Sequence, residues 1–389
     1  YDMVEQLPGL ERSPLGVGPQ RDRRPRLIVD YSFYGINDDT VKLMPPEAMQ
    51  FGRALERLLT SIRHANPAFG PVYMAKIDIA DGFYRVWTSA NTCTKLGVLL
   101  PRSPSEPQLV AFPLSLPMGW VESPPAFCSV SETAADLANQ RYHRSYAPPH
   151  RLDVVSETQP PPAAEATAAT RVHAIGHQDA ATRPPQAAEA AATRLAAIGQ
   201  QHHIQRQGIP VQPLASPEAL YSSQPHRQPL ALTDLYMDDF CSLGQGHKRR
   251  LLRIKRILMH AIDEVLRPWD LSPVHQEPMS VKKMLKGDAS WQTQKQLLGW
   301  LIDTVEKTIL LPPHRLERLT TIFEELRGRR RVSLKQWHTV LGELRSMVMA
   351  IPGGRGLFST LQTGLQQHTD KHRVRISPVI RAQLDDFEL

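Results

Sequence analysis

Leu235-Tyr236-Met237-Asp238-Asp239-Phe240 sets two adjacent acids between apolar and aromatic neighbours, and the reading of this hexapeptide decides the fold. Ala231 to Leu243 has the pattern of a strand, a turn and a second strand, with the acids at the bend. Adjacent carboxylates repel, and apolar flanks withhold the water that would screen them, so a cation is expected to offset the pair. A solvated turn with incidental acids is the plainer alternative. A second acid stands in a similar setting within Lys76-Ile77-Asp78-Ile79-Ala80-Asp81-Gly82-Phe83-Tyr84, where an apolar strand ends on Asp78 and a tight turn follows. Two-metal phosphoryl transfer needs carboxylates converging on ions about 3.5–4 Å apart. Magnesium is hard and takes oxygen ligands, and strand ends aim side chains in fixed directions. Asp78, Asp238 and Asp239 are therefore the candidate catalytic acids, holding two Mg2+ ions, with Mn2+ as a substitute.

Bulk properties point the same way. Lys plus Arg exceed Asp plus Glu by 46 to 39, and a pI near 9.4 favours a polyanionic partner, nucleic acid before membrane. Cys93, Cys128 and Cys241 are an odd set in apolar surroundings, which argues for buried thiols in a reducing compartment. Neither a long apolar run nor a signal peptide is present, so an intracellular protein is expected, cytoplasmic or nuclear and not secreted. The chain opens on Tyr1, which reads as a piece of a longer polyprotein.

Composition divides the chain. Residues 1–25, rich in Pro, Gly and Arg, read as a basic flexible arm, followed by a short strand from Leu27 to Tyr31. Apolar positions at helical spacing predict helices over Met49–His64 and Pro124–Gln140, and Thr94–Leu100 with Gln108–Pro113 resembles a hairpin. From about Tyr146 to Pro229, Ala, Pro, Gln and His dominate, and Pro161–Gln178 recurs imperfectly as Pro184–Gln201. Duplicated low-complexity sequence of this kind predicts a disordered insertion. His173 and His177 within it, four apart, are a weak metal pair without Cys partners. A basic helix over His247–Leu266, strand-like segments over Lys295–Leu311, and helices near His314–Arg327 and Ser333–Met349 complete the reading.

Five segments in order resemble reverse transcriptases. Tyr-Met-Asp-Asp at 236–239 resembles their metal-binding hairpin, and the Asp78 segment their first metal-binding strand. Leu116-Pro117-Met118-Gly119-Trp120-Val121-Glu122-Ser123-Pro124-Pro125-Ala126-Phe127 is similar to their Leu-Pro-x-Gly-x-x-x-Ser-Pro segment. Arg26-Leu27-Ile28-Val29-Asp30-Tyr31-Ser32 with Asn37 resembles the fingers strand, and Leu297-Leu298-Gly299-Trp300 the primer-grip turn. The Leu-Leu-Gly-Trp-Leu-Ile-Asp-Thr run and Pro352-Gly353-Gly354-Arg355 look most like tyrosine-recombinase retrotransposons of the DIRS type.

The resemblance implies an α+β right-hand polymerase: 1–25 arm, 26–145 fingers and first part of the palm, 146–229 insertion, 230–311 the remaining palm with its antiparallel sheet and primer-grip region, 312–389 a partial thumb. It implies Asp78 and Asp238 as direct ligands, with Asp239 shaping the field. Arg26, and less directly Arg24, would contact the triphosphate; Met118 and Gly119 would lie beside the nucleotide. Phe83 would exclude a ribose 2′-hydroxyl, and Lys282 or Lys283 would protonate the departing pyrophosphate. Tyr236, Met237, Leu298, Gly299 and Trp300 would contact primer and template. The basic clusters at 247–256 and Arg327–Arg331 would track phosphates, although a helix packed on the palm with a solvated basic face explains the first as well. The implied activity is RNA-directed DNA polymerisation from an RNA template, a DNA primer and deoxynucleoside triphosphates, with no membrane partner and any RNase H domain beyond Leu389. A decayed, non-catalytic retroelement fragment that at most binds nucleic acid is the alternative.

Overall fold

Val72–Asp78 (β1) sends successive side chains to opposite faces, as a strand must. It pairs antiparallel with Asp239–Gln245 (β3), which pairs with Ala231–Tyr236 (β2), giving the sheet order β1-β3-β2. The register sets Asp78 opposite Asp239, and Asp239 opposite Tyr236. Ile77, Phe240 and Leu235 consequently share the other face, where Ser123–Arg141 (α2) and Lys248–Leu266 (α3) bury them. The helix Ala54–His64 (α1) packs Leu55, Leu58 and Ile62 into a second core with Val72, Met74 and Leu243.

The computed structural model describes residues 12–18, 26–42, 53–103, 105–156, 227–267, 277–348, 354–366 and 373–388. All lie in one compact unit; the repeat, His173 and His177 are outside the described residues. Arg24 is outside them too.

Local sequence accounts for the two helices under the sheet. α2 starts on Ser123-Pro124-Pro125, where the missing proline N–H costs nothing. Its buried Ala134, Ala135 and Ala138 allow α3 to approach closely. Asn139 of α2 closes the outer edge of β2, donating to the Thr233 carbonyl at 2.8 Å and accepting from the Thr233 N–H at 2.8 Å. α3 is capped by His247, and Leu251, Ile254, Leu258 and Ile262 form its buried stripe.

Three expectations shift. Within the 1–25 arm, Arg12–Ser13 pairs with Gly97–Leu99 and Leu15–Gly18 pairs with Arg26–Val29, because Leu15 and Val17 supply strand alternation inside a Pro- and Gly-rich composition. The hairpin expected from Thr94 begins later, at Gly97, because Ser89 caps a helix over Ala90–Lys95. The structure also runs eleven residues into the expected insertion: Arg151 forms paired bonds to Asp263 and to Glu277, and His150 Nε2 lies 3.0 Å from the same Asp263.

Gln294–Leu297 (β4), Trp300–Asp303 (β5) and Thr308–Leu310 (β6) form a separate meander anchored at the start of β1 through Met74 and Gln292. Helices Pro313–Leu326, Leu334–Val348, Gly354–Gln366 and Pro378–Glu388 surround Trp337, Leu344 and Leu361. No described helix is long and apolar enough to cross a membrane.

Truncating Phe240, fully buried between sheet and helices, should cost about 3–5 kcal/mol in denaturant unfolding, with the midpoint falling accordingly. Burial opposes charge on Asp263, but Arg151 and His150 hold its carboxyl down to about 2. A folded-state value below the ordinary Asp value of about 4 gives stability complete above pH ~4 and lost as pH falls toward ~2. Asp263→Asn should flatten that part of the acid-unfolding curve.

Candidate metal and nucleotide site

Hairpin geometry brings the acids together. β2 and β3 are joined by Met237 and Asp238 alone, and Met237 adopts φ +59°, a left-handed conformation rare for such a side chain. The Ile79 N–H donates to the Asp238 carbonyl at 3.0 Å, which ties the hairpin tip to the end of β1. Asp78 and Asp239 then oppose one another across the strand pair, an arrangement that like charges destabilise. Asp78 is 5% exposed, and burial pushes its carboxyl up to about 7 against the pull of Lys283, with Asp239 and Asp238 adding to the rise. Asp238 reaches solvent at the tip, yet loss of surrounding water and then Asp239 raise its carboxyl as well.

Two ammonium groups face these acids. Lys283, on the short helix Val281–Met284, pairs with Asp78 Oδ1, while Lys282 next to it is exposed. Lys76 lies 3.3 Å from Asp239 Oδ1 and 3.5 Å from Asp288 Oδ2. That contact is a long ion pair, and the buried Asp239 Oδ1 has no closer donor. Clustered carboxylates, two of them held above their ordinary range, and all-oxygen donors fit a hard divalent cation. The three carboxylates are nevertheless not drawn to single-ion spacing. Among the described residues, the group with ligand atoms within 4.8 Å of one another is His150, His260 and Asp263. There His150 Nδ1 accepts the Leu152 N–H at 3.1 Å, its Nε2 lies 3.0 Å from both Asp263 and Arg151 Nη1, and the Arg151 guanidinium already neutralises that carboxylate. It is a structural clasp.

Around the acids, Phe83 is half-buried in the turn Gly82–Arg85 and meets Phe127 edge-on, with ring centroids 5.2 Å apart. Gly119 has φ +104°, and a Cβ there would lie 2.4 Å from the Val29 carbonyl, so this turn needs glycine to reach the strand Arg26–Val29. Asn37 fastens it from the other side, donating to the Gly119 carbonyl at 3.0 Å and accepting from the Val121 N–H at 2.9 Å. The backbone of Arg26 is thereby placed, opposite Gly18, in a strand that abuts Gly119. Met118 and Tyr236 are both partly exposed, at 38% and 37%.

Other sequence candidates lie apart from the acids. Leu298 and Gly299, at φ +49° and +82°, form the two-residue turn between β4 and β5, whose meander is anchored at the far end of β1 from Asp78. Trp300 is 6% exposed in the core with the C-terminal helices. In the first basic cluster, Arg250 donates to the Pro229, Leu230 and Gln245 carbonyls, buried Lys255 to Ala289, and Arg256 pairs with Asp153. The packed-helix explanation accounts for these three, and Arg249 and Arg253 line an open cleft with Tyr146 instead. Of the second cluster, Arg327 caps the helix Pro313–Leu326 and exposed Arg331 opens a two-stranded ribbon, where it faces Arg375. Lys76 and Asp288 were missed. Lys76 stands two residues before Asp78, so strand periodicity alone puts it on the acids' face, whereas no local signal marks Asp288.

No protein-family model matches the chain, and no curated protein matches it either. Among solved structures it is similar to the foamy viral protease-reverse transcriptase dRH in complex with ds DNA, at 13% identity and TM-score 0.47, over 96% of this chain and 42% of that one. It is also similar to the foamy viral protease-reverse transcriptase in complex with RNA/DNA hybrid (13%, TM-score 0.48, 96% and 32%) and in complex with dsDNA (12%, TM-score 0.46, 96% and 50%). The chain thus spans between about a third and a half of the length of those chains.

Gly119→Ala should force the 116–122 turn away from Val29. Limited proteolysis should then cut more readily between Arg26 and Asn37, while the unfolding midpoint of the sheet and its two helices moves little.

Proposed function

We propose that this chain is a reverse transcriptase: a divalent-metal-dependent, template-directed polymerase that adds deoxynucleotides to a primer 3′-hydroxyl on an RNA template, within a retrotransposon polyprotein. The observation that carries this reading is the convergence of Asp78 with the Asp238–Asp239 hairpin at one sheet end, where a bound divalent cation would offset clustered like charges. The ordered motif series around it supports the same class, as does the basic ribbon at Arg331 and Arg375. Facing arginines repel, and a phosphate backbone would offset them.

Asp78 and Asp238 would hold two Mg2+ ions, which supply Lewis acidity at the 3′-oxygen and the triphosphate. The 3′-oxygen bonds to the α-phosphorus as the bond from that phosphorus to the bridging oxygen breaks; the hydroxyl loses its proton and pyrophosphate takes one up. Lys283 is the donor we assign for that second proton, since it is the lysine beside Asp78 and is 45% exposed at its side chain. Phe83 closes the sugar side of the pocket, where a ribose 2′-hydroxyl would meet its ring. Gly119 brings the strand of Arg26 to the nucleotide, and the hairpin turns at Met237 and Leu298–Gly299 offer backbone to primer and template.

Primer extension on an RNA template with Mg2+ tests the whole. The parent should extend and Asp238→Ala should not; equal extension by both, or none by the parent, returns the chain to a non-catalytic fragment. Lys283→Leu should slow the single-turnover chemical step by about 10²–10⁴-fold with nucleotide affinity largely kept. Phe83→Val should admit ribonucleotides that the parent rejects, measured as the ratio of kcat/KM for the two sugars.

A further inference from the structure

Three lysines far apart in sequence meet around one loop. Lys255 of α3, 4% exposed, donates to the Ala289 carbonyl at 3.3 Å. Lys295 of β4, 7% exposed, donates to the Gly287 and Ser290 carbonyls at 3.1 and 3.0 Å. These buried ammonium groups clamp the loop Gly287–Ser290 from two sides, and the Lys76 N–H fixes it to β1 by donating to the Asp288 carbonyl at 2.9 Å. The Asp288 carboxylate is thereby set 3.5 Å from the Lys76 ammonium, whose other partner is Asp239 Oδ1 at 3.3 Å.

Lys76 and Lys283 are consequently unequal. Lys283 has a side chain 45% exposed on a helix of four residues, so an arriving cation can displace it from direct contact with Asp78 while it stays at the site. Lys76 is 17% exposed, rises from the middle of a sheet strand, and is held between two carboxylates. It has nowhere to go.

We propose that Lys76 is a positioning residue: anchored by Asp288, it occupies Asp239 Oδ1 and so withholds that oxygen from the metal, leaving Asp78 and Asp238 as the direct ligands. This rests on the metal-dependent reading of the site. Lys76 thereby limits the number of anionic ligands, and ligand charge count is a main determinant of how tightly an oxygen site holds a divalent ion.

The test is Mn2+ titration of the full chain without nucleotide, with free Mn2+ read by electron paramagnetic resonance. Lys76→Met should release Asp239 to the ion and tighten binding by roughly tenfold, while the maximal rate of primer extension falls because the ligand geometry changes. Lys76→Arg should keep the parent's Mn2+ affinity. In an Asp239→Asn background the effect of Lys76→Met on affinity should vanish, which a merely structural lysine would not show. Lys76→Gln serves as a second neutral variant if Met unfolds the strand. Weaker or unchanged Mn2+ binding by the neutral variants, or an effect that persists without Asp239, overturns the assignment. Asp78→Asn separates the two levels. If it binds Mn2+ as the parent does, the metal-dependent reading itself fails and this inference with it; if it abolishes binding while the neutral Lys76 variants match the parent, only the role of Lys76 falls.

Discussion

Asp78 and Asp239 face each other across an antiparallel strand pair, on a face where water is scarce, and the surrounding architecture answers that repulsion. Segment 277–292 runs beside β1 and is bonded to it along its length: Ala80 to Pro278, Ser280 to Asp78, Lys76 to Asp288 and Met74 to Gln292. From that segment come Lys283, set against Asp78, and Asp288, which fixes Lys76 against Asp239. Each carboxylate of the facing pair therefore has an ammonium partner.

What keeps the pair from simply moving apart is the reverse face of the sheet. Ile77 and Phe240 stand on the strand positions next to the acids and are locked among α2 and α3, so a shift of register by one residue would turn the acids into the core. Asn139 and the Tyr142–Thr233–Ser242 hydrogen bonds hold β2 in the same frame. The hairpin tip carries left-handed backbone at Met237 to place Asp238. Strain of this sort persists where surrounding structure over-determines it, and here the well-packed sheet beneath does so.

Much of this arrangement was legible in the sequence, and the reason is periodicity. The strands of β1, β2 and β3 and the helices α2 and α3 have long apolar patterns that tertiary packing obeys, and the acids lie at pattern boundaries where strands end. The need for glycine at 119 was readable from its motif, whereas its close approach to the Val29 carbonyl was not. What could not be read depends on contacts between distant residues. Nothing local distinguishes Lys283 from Lys282, and Asp288 matters only because Lys255 and Lys295 clamp its loop. Trp300 and Arg250 show the converse: an aromatic beside a turn and an arginine in a basic run look available in sequence, yet one packs in the core and the other caps backbone carbonyls. Short strands such as Leu15–Gly18 were hidden because composition outweighed an alternation of only four residues.

The central claim is that Asp78 and the 238–239 hairpin, more than 150 residues apart in the chain, hold divalent cations together. Loading the protein with Fe2+ and generating hydroxyl radicals at the bound ion measures this directly, since the backbone is cut where the ion sits. The account predicts cuts beside Asp78 and beside Met237–Asp239 in the same preparation, both suppressed by excess Mg2+. Cleavage at only one of these places, or cleavage that Mg2+ leaves untouched, would contradict it.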